Sequence, residues 1–181
     1  DKENSITNFV TVRFGNVLGS TGSVIPLFQK QIKRGGPLRV THKDTTRFFM
    51  SVKEAVELVL ISLSSSVNKK ERGYINVLEM GEPMKIDNLA KQLARLSGLT
   101  PGKDIEIIYT GLRTGEKLHE KLFHQDEEKL KTDHPDILIA KSRKLNFADI
   151  NEILSSMDNA LMQNDEKEAL RKLKKLVPEF S

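Results

Sequence analysis

Hydrophobic residues in this chain form two kinds of pattern, short runs typical of buried strands and longer stretches with helical spacing. The run from Val10 to Phe14 is rich in β-forming residues, and the stretch from Ser23 to Lys33 has apolar residues at helical spacing followed by two glycines. Further runs predict strands at residues 38–41, 48–50, 74–78, 104–109 and 137–140. Further helices are predicted after Ser51 and at residues 86–97, 118–123, 150–161 and 169–176. Because strand, turn and helix alternate, the pattern predicts an α/β fold.

Local signals predict the ends of two of these helices. Ser51 and Glu54 have the spacing of a capping box at the start of the second helix. Gly98 is predicted to follow the end of the helix at 86–97, with Leu99 placed for the usual hydrophobic contact. The predicted buried face of the helix after Ser51 consists of Ala55, Val56, Val59, Leu60 and Leu63. The predicted buried stripe of the helix at 86–97 consists of Leu89, Ala90, Leu93 and Leu96.

The stretch from Val10 to Pro26 combines a strand, a polar turn and a helix start, which is how an α/β protein builds the mouth of a ligand site. Gly15, Gly19 and Gly22 allow a ligand to approach the backbone closely, and Asn16 offers a polar side chain there. An ordinary buried strand followed by a loop has the same pattern. Both interpretations stay open on these residues alone.

Two loop arginines and one carboxylate indicate chemistry suited to an anion. Arg47 and Arg113 each follow a predicted strand or loop beside threonine or glycine, and the planar guanidinium suits a phosphate or diphosphate. Glu116, three residues past Arg113, is suited to accept hydrogen bonds from the two hydroxyls of a ribose. Surface salt bridges for the arginines, and a favourable helix-dipole position for Glu116, are the alternative explanations.

Composition narrows the class of protein. The 181 residues are 38% hydrophobic and 30% charged, as in a soluble globular protein, and no apolar run approaches the roughly 18 residues that span a bilayer. The polar start at residues 1–5 is neither a signal peptide nor a natural initiator, so we expect the chain to be cut at its N-terminus. The absence of cysteine excludes disulfides and thiolate catalysis and suits a cytosolic protein.

Several other classes of site lack their signatures in this sequence. The four histidines have no carboxylate partners at a metal-ligand spacing, so no metal site is predicted. Neither a Ser-His-Asp arrangement, a Walker-type loop nor a dinucleotide fingerprint is present. The net charge of +4 is mild and is concentrated at residues 171–175, on the solvent side of a predicted amphipathic helix. We therefore expect no nucleic-acid partner.

Three motifs taken together resemble one known family. RFGNVLGS at 13–20 with GSVIPLF at 22–28, TRFFM at 46–50 and GLRTGEKL at 111–118 are similar to the CapD-like nucleotide-sugar 4,6-dehydratases of polysaccharide biosynthesis, which are extended short-chain dehydrogenases. The ending LVPEF at 176–180 extends the resemblance over nearly the whole chain. The resemblance implies that residues 1–181 are the C-terminal portion, with the last Rossmann strands and helices plus the smaller substrate-binding lobe. The N-terminal Rossmann half that holds NAD(P) would be missing.

The resemblance also implies roles for individual residues. Asn16 is similar to the family asparagine that hydrogen-bonds the diphosphate or sugar, and the backbone of Phe14 and Gly15 would lie near the nicotinamide. Arg47 and Arg113 resemble the two diphosphate-binding arginines, and Glu116 resembles the acid on the ribose. The remaining implied substrate-binding residues are Ser23 and Val24 at the helix that closes over the diphosphate, and Leu38 and Val40 in the strand along the nucleobase. Thr114 and His119 stand where the family often has proline and tyrosine.

The function implied is the binding of a UDP-sugar by a UDP-N-acetylglucosamine-type dehydratase. In the whole enzyme NAD(P)⁺ oxidises C4, water is lost across C5 and C6, and hydride returns to C6. Tyr74 and Tyr109 are not followed by lysine at the fourth place, so the Tyr-x-x-x-Lys that performs hydride chemistry is absent. The chain alone is therefore expected to be inactive, to bind NAD(P) weakly and to have no catalytic residue of its own.

Two alternative functions and several features of the whole enzyme remain open. The alternatives are a nucleotide-sugar epimerase of the same superfamily and a non-catalytic sugar-nucleotide-binding module. Strands that would be exposed without the rest of a Rossmann sheet predict that the chain forms homo-oligomers or swaps elements. The expected location is cytoplasmic, with membrane tethering of the parent left open.

Overall fold

The computed structural model describes residues 7, 9–20, 22–67, 73–124, 126–141, 145–178 and 180, and the polar start at 1–5 and Glu179 of the LVPEF ending lie outside this range. The chain divides into two compact units, residues 1–142 and residues 143–181. The elements in order are β1 (Thr11–Arg13), β2 (Asn16–Val17), α1 (Val24–Lys33), β3 (Leu38–Val40), β4 (Thr46–Arg47), β5 (Phe49–Met50), α2 (Val52–Val67), β6 (Tyr74–Leu78), β7 (Met84–Lys85), α3 (Ile86–Leu96), β8 (Ile107–Tyr109), β9 (Glu128–Lys131), β10 (Ile137–Lys141), α4 (Phe147–Met162) and α5 (Glu166–Leu176). This alternation confirms the predicted α/β class.

The first unit contains one four-stranded sheet and three two-stranded pairs among its described residues. The sheet has the order β1-β6-β10-β9, in which β1 runs parallel to β6 while β10 runs antiparallel to both of its neighbours. The short pairs are β2 with β5, β3 with β8 and β4 with β7. Strand β1 is an edge strand of the described sheet, and the oligomeric state expected from such an edge stays a prediction.

Two hydrophobic clusters form the core of this unit. The first joins α1, β3 and α3 around the fully buried side chains of Phe28, Leu38 and Ala90. The second joins α2 to the sheet around Leu78, Ile137 and neighbouring residues. The first cluster holds α1 and β3 in place, and these elements bound the candidate site described below.

Helix α2 begins as predicted and buries part of the predicted face, since Ala55 is buried and Val59 packs against the second cluster. Its capping box is present, since the Ser51 N–H donates to Glu54 Oε2 at 2.7 Å and the Glu54 N–H donates to Ser51 Oγ at 3.2 Å. Its buried side chains, however, are Ala55, Leu58 and Ser62. The prediction was wrong for Val56, Leu60 and Leu63, which are 52%, 58% and 48% exposed. The helix is apolar on two faces, so its periodicity alone does not determine which face meets the sheet.

Helix α3 ends as predicted. Gly98 has a φ of +77°, and the Leu99 N–H donates to the carbonyl of Ala94, which is the hydrogen bond of a Schellman motif. Leu96, predicted in the buried stripe, is instead 84% exposed, and Ile86, Leu89, Ala90 and Ala94 are the buried apolar residues. The stripe is therefore confirmed at Leu89 and Ala90 but begins earlier in the helix.

Residues 118–123 were predicted as a helix, and the structure shows irregular chain there. The carbonyl of Leu118 accepts hydrogen bonds from the Thr46 N–H and from Arg47, and the carbonyl of Leu122 accepts one from Arg13. Carbonyls bound to distant residues in this way do not serve the i to i+4 ladder of a helix. Residues 128–131, which had no predicted element, form strand β9.

The second unit consists of α4 and α5. Asn146 caps α4 by accepting from the Ala148 N–H, and Asp165 caps α5 by accepting from the Glu168 N–H. Ala160 and Ala169 are the buried residues of these helices. Among the helices of the described residues, none has the length and apolar character needed to span a bilayer.

Candidate functional site

The three sequence motifs converge on one open cavity of about 590 Å³. Its lining comes from strand β2, helix α1, the end of β3, strand β4, the start of α3 and the loop after β8. The lining residues are Asn16, Val24, Leu27, Gln31, Arg39, Val40, Thr41, Thr45, Arg47, Ile86, Thr110, Gly111, Leu112, Arg113 and Glu116. Residues nearly 100 positions apart in sequence thus surround a single volume.

Glu116 contacts three other groups at the cavity. Its Oε1 accepts a hydrogen bond from Thr41 Oγ1 at 2.9 Å and lies 3.5 Å from Arg47 Nη2. Its Oε2 accepts from the Arg113 N–H at 3.2 Å. A carboxylate has about four acceptor positions, so Glu116 retains capacity for ligand hydroxyls. Since residues 118–123 are not helical, the helix-dipole explanation for Glu116 does not apply.

Arg47 is already bound by the protein. Its Nη1 donates to the carbonyl of Thr46 at 2.7 Å and to that of Leu118 at 3.3 Å, and its Nε lies 3.4 Å from Glu120 Oε1. Its side chain is only 13% exposed. The guanidinium is therefore held in one orientation at the cavity wall, with two carboxylates beside it.

Arg113 differs because its guanidinium has no hydrogen-bond or ion-pair partner among the described residues. Only its backbone is engaged, with the N–H donating to Glu116 and the carbonyl accepting from the Glu116 N–H at 2.9 Å. Arg113 thus lines the cavity with a guanidinium that has no ion-pair partner among the described residues. An incoming anion would be the natural partner of that charge.

Asn16 lines the cavity from strand β2. Its N–H donates to the carbonyl of Phe48 at 2.9 Å, and its side-chain amide makes no hydrogen bond to another described residue. The amide is thus available to a ligand. The neighbouring Gly15 is required for a different reason, because a Cβ there would lie 2.9 Å from Phe48 Cβ.

Six of the eight predicted substrate-binding residues line the cavity, and Ser23 and Leu38 do not. Leu38 is fully buried in the first hydrophobic cluster, and its N–H donates to the carbonyl of Glu106. Ser23 occupies the N-cap position of α1, but its Oγ makes no capping bond and is buried without a partner among the described residues. The roles of all eight residues toward a ligand stay predictions.

The sequence analysis did not single out Gln31, Arg39, Thr41 and Thr45 as site residues. Arg39 and Thr41 belong to the strand predicted at residues 38–41, which the resemblance places along the nucleobase. Their position in that strand could therefore have identified them as site residues. Gln31 follows Val24 and Leu27 at helical spacing, which places the three on one face of α1. Helical periodicity could therefore have identified Gln31.

Arg13 links the opening strand to the chain beyond the third motif. Its guanidinium donates to both oxygens of Glu127 at 2.7 and 2.8 Å and to the carbonyl of Leu122 at 2.9 Å. Chiefly because of Arg13, and despite the opposing effect of burial, the pKa of Glu127 is lowered from its ordinary value, with a further contribution from the His124 N–H. These hydrogen bonds join Leu122 and Glu127 to β1.

A second cavity of about 570 Å³ lies between α2 and the sheet. Four carboxylates line it, from Glu54, Glu57, Glu79 and Asp136. Within the described residues no group of three or more acidic or histidine side chains is placed to hold a metal ion. An acidic lining repels the phosphates that the arginine-containing cavity attracts, so we take the latter as the candidate site.

Comparison with known proteins identifies the family. The profile of the polysaccharide biosynthesis protein family matches residues 1–142. The chain belongs to this family. The capsular polysaccharide biosynthesis protein CapD of Staphylococcus aureus is 52% identical over 127 residues, which cover 70% of this chain and 20% of CapD. The CapD-like resemblance read from the motifs is thereby confirmed.

The chain is also similar to relatives that are named as two different enzymes. A UDP-N-acetylglucosamine 4,6-dehydratase (inverting) of Campylobacter jejuni is 39% identical over 128 residues, covering 70% of this chain and 34% of the enzyme. A UDP-glucose 4-epimerase of Rickettsia bellii is 39% identical over 121 residues, covering 67% and 33%. The X-ray structure of Pen from Bacillus thuringiensis matches with a TM-score of 0.66 and 34% identity, over 78% of this chain and 42% of Pen. The chain thus spans a fifth to a third of these curated relatives.

Proposed function

We propose that this chain is the nucleotide-sugar-binding portion of an NAD(P)-dependent UDP-N-acetylglucosamine-type 4,6-dehydratase of polysaccharide biosynthesis. The observation that carries the proposal is the convergence of Asn16, Arg47, Arg113 and Glu116 on one cavity. The cavity volume of about 590 Å³ lies within the range of roughly 300–1,000 Å³ typical of small-molecule sites. A diphosphate bound between Arg47 and Arg113 would supply an ion-pair partner for the Arg113 guanidinium.

The position of Glu116 supports a ribose beside that diphosphate. Thr41 and the Arg113 N–H fix the carboxylate, and Arg47 lies at its side. Three of its roughly four acceptor positions are used, so the carboxylate can accept one further hydroxyl hydrogen bond without reorienting, and less conformational entropy is lost on binding. The sugar would extend from the diphosphate toward Asn16, whose amide has no partner among the described residues.

The chemical steps of such a dehydratase are not assigned to residues of this chain. NAD(P) supplies hydride acceptance and return in the proposed parent enzyme. Phe14 and Gly15, which the resemblance assigns to it, give no separate support, since the close approach of Phe48 already explains the glycine. Without a Tyr-x-x-x-Lys, we expect residues 1–181 to bind the nucleotide sugar and to leave it unreacted.

An epimerase of the same superfamily is the second candidate, since the Rickettsia bellii epimerase is as similar to this chain as the Campylobacter jejuni dehydratase. A non-catalytic sugar-nucleotide-binding module is the third. Product analysis of the parent protein with UDP-N-acetylglucosamine distinguishes them. A 4-keto-6-deoxy sugar supports the dehydratase, a C4 epimer supports the epimerase, and bound but unchanged substrate supports the module.

The binding proposal is tested by calorimetric titration of the 181-residue chain with UDP. We expect Arg113→Ala to raise the Kd by about 30-fold, because a charge-assisted hydrogen bond is worth about 2 kcal/mol. Arg95→Ala is the matched control, since Arg95 is exposed on α3 outside the cavity. Absence of UDP binding to the unaltered chain, or equal binding by the Arg113 and Arg95 variants, would contradict the proposal.

A further inference from the structure

The second unit of the chain exposes a row of apolar side chains on each of its two helices. Helices α4 and α5 pack against one another, and only residues 163–165 connect them. Helices joined by so short a loop run antiparallel. The row on α4 consists of Phe147, Leu154 and Leu161, which are 63%, 45% and 57% exposed. The row on α5 and its C-cap consists of Leu170 and Val177, which are 40% and 42% exposed. Residues seven positions apart lie on one face of a helix, so each row follows a single face.

Both rows lie on the same side of the hairpin. Ala160 and Ala169 are buried, which marks the side on which each helix meets the other. Leu161 follows Ala160 and Leu170 follows Ala169, so each row is turned from that side by about 100° in the direction of the chain. In a pair of antiparallel helices, equal turns along the chain bring both rows to the same side. We call this side the hairpin face, which consists of Phe147, Leu154, Leu161, Leu170 and Val177.

A unit of this size has little core of its own. Residues 143–181 bury only Ala160 and Ala169 among their described residues, while the apolar side chains of the hairpin face meet solvent. Domains below about 40 residues usually need disulfides, a metal or oligomerisation for stability. The chain has no cysteine from which a disulfide could form. Packing the hairpin face against a second apolar surface would give the unit the core that it lacks.

One charged residue stands within each row, and the two have opposite signs. Asp158 lies four residues after Leu154 on α4, and Lys174 lies four residues after Leu170 on α5. Because this spacing keeps side chains on one helix face, both charges belong to the hairpin face. Both residues are exposed, and neither forms an ion pair with another described residue. The hairpin face therefore carries one unpaired anion and one unpaired cation.

The charges of the whole helices show the same complementarity. Helix α4 contains three acidic residues and no basic one, whereas α5 contains five basic residues and two acidic ones. Two hairpin faces can pack with α4 against α4 of the other copy, or with α4 against α5. The first arrangement brings like charges together, and the second brings acidic side chains to basic ones. Charge complementarity therefore favours a second copy of this chain as the partner, with α4 against α5.

We propose that two copies of the chain associate through their hairpin faces, so that α4 of each copy packs against α5 of the other in a four-helix bundle. Asp158 and Lys174 lie at similar distances from the loop, three and four residues beyond Leu161 and Leu170. A two-fold axis parallel to the helices therefore brings Asp158 of each copy opposite Lys174 of the other. This surface lies beyond residues 1–142, which the family profile matches, and it does not involve the edge strand β1.

Sedimentation velocity of the 181-residue chain over a range of concentrations tests the association. We expect a reversible dimer. Leu154→Glu places a charge on the hairpin face of both copies, so it should raise the dimer Kd at least about tenfold. Leu96→Glu is the matched control, because Leu96 is 84% exposed on α3 and the variant adds the same charge. Its dimer Kd should equal that of the unaltered chain. If circular dichroism shows that Leu154→Glu loses helix, Leu161→Glu makes the same measurement.

Charge reversal tests the arrangement of the helices. Asp158→Lys or Lys174→Glu alone places like charges opposite each other, so each should raise the dimer Kd about fivefold. The double variant restores opposite charges only when α4 faces α5 of the other copy. Its dimer Kd should therefore return to within about twofold of the unaltered value. A double variant that dimerises more weakly than both single variants would contradict this arrangement.

Two further outcomes would overturn the proposal. The first is a chain that stays monomeric up to about 0.5 mM. Cosedimentation of that monomer with vesicles of phosphatidylcholine and phosphatidylglycerol would then assign the hairpin face to a lipid surface. The second is an equal dimer Kd for Leu154→Glu and Leu96→Glu, which would place the association on another surface of the chain.

Discussion

Arg47 and Arg113 lie on the same cavity and were predicted to perform the same task, but the protein holds them very differently. The Arg47 guanidinium is bound by two backbone carbonyls and lies beside two carboxylates, while that of Arg113 has no partner among the described residues. A guanidinium that is already oriented loses little side-chain entropy when a ligand binds, whereas a free one must be ordered. Arg47 should therefore act on both stability and binding, and Arg113 on binding alone.

Among these arginines we expect Arg13 to contribute most to stability, because its partner is a nearly buried carboxylate. Replacing it in Arg13→Met leaves Glu127, whose side chain is 6% exposed, without its bidentate partner. We expect the free energy of unfolding to fall by about 3 kcal/mol at pH 7. Urea unfolding followed by circular dichroism measures the change.

The pH dependence of that loss follows from Glu127. Arg13 lowers the pKa of Glu127 in the folded state, so the stabilisation is complete above the unfolded pKa of about 4.3 and is lost as the pH falls through the folded value. The difference between Arg13→Met and the unaltered chain should therefore shrink below about pH 4. The control is Arg95→Ala, since Arg95 is exposed on α3. A pH-independent Arg13 difference would contradict the assignment to this ion pair.

Arg47→Ala should have the next largest effect on stability. The variant removes hydrogen bonds to Thr46 and Leu118 and removes the cation that lies beside Glu116 and Glu120, so we expect a loss of about 2 kcal/mol. Arg47→Lys retains the charge without the planar fork and should lose less. Urea unfolding followed by circular dichroism measures the loss of stability in both variants. If Arg47→Ala left the free energy of unfolding unchanged, the proposed difference between Arg47 and Arg113 would be contradicted.

Thr41→Val tests the support of Glu116 at smaller scale. The substitution keeps the shape of the side chain and removes the hydroxyl that donates to Glu116 Oε1 at 2.9 Å. We expect a loss of about 1 kcal/mol in stability and a weaker affinity for UDP. Thr41→Ser, which keeps the hydroxyl, should retain UDP affinity near that of the unaltered chain. Equal UDP affinities for the valine and serine variants would show that this bond does not position Glu116.

Arg113→Ala should have the smallest effect on stability, within about 0.5 kcal/mol, since its guanidinium has no partner among the described residues. Thermal unfolding by circular dichroism, run beside Arg95→Ala, makes this measurement. The same variant is expected to weaken UDP binding, so it separates binding from stability. A large loss of stability would mean that Arg113 belongs with Arg47.

The candidate site was predictable where its residues belong to local motifs. Asn16, Arg47, Arg113 and Glu116 were all singled out from the sequence, and all four line one cavity. The Arg39 backbone was not, because its placement depends on the pairing of β3 with β8. Which edge of a strand remains open is determined by its partner, and the partner lies nearly 70 residues away.

Elements specified by neighbouring residues were determined by the sequence. The capping box at Ser51, the end of α3 at Gly98 and the strand at 74–78 were all predicted and are all present. Their hydrogen bonds join residues a few positions apart or follow from runs of β-forming residues, so the local chain carries the information.

Only the tertiary structure decided the buried face of α2, the irregular course of residues 118–123 and the different states of Arg47 and Arg113. Both faces of α2 are apolar, and contact with the sheet chose the face containing Ala55 and Leu58. Thr46 and Arg47 bind the Leu118 carbonyl, which would accept the first i to i+4 hydrogen bond of a helix at 118–123. In each case distant groups compete with a local preference of comparable free energy, and the long-range contact decides the outcome.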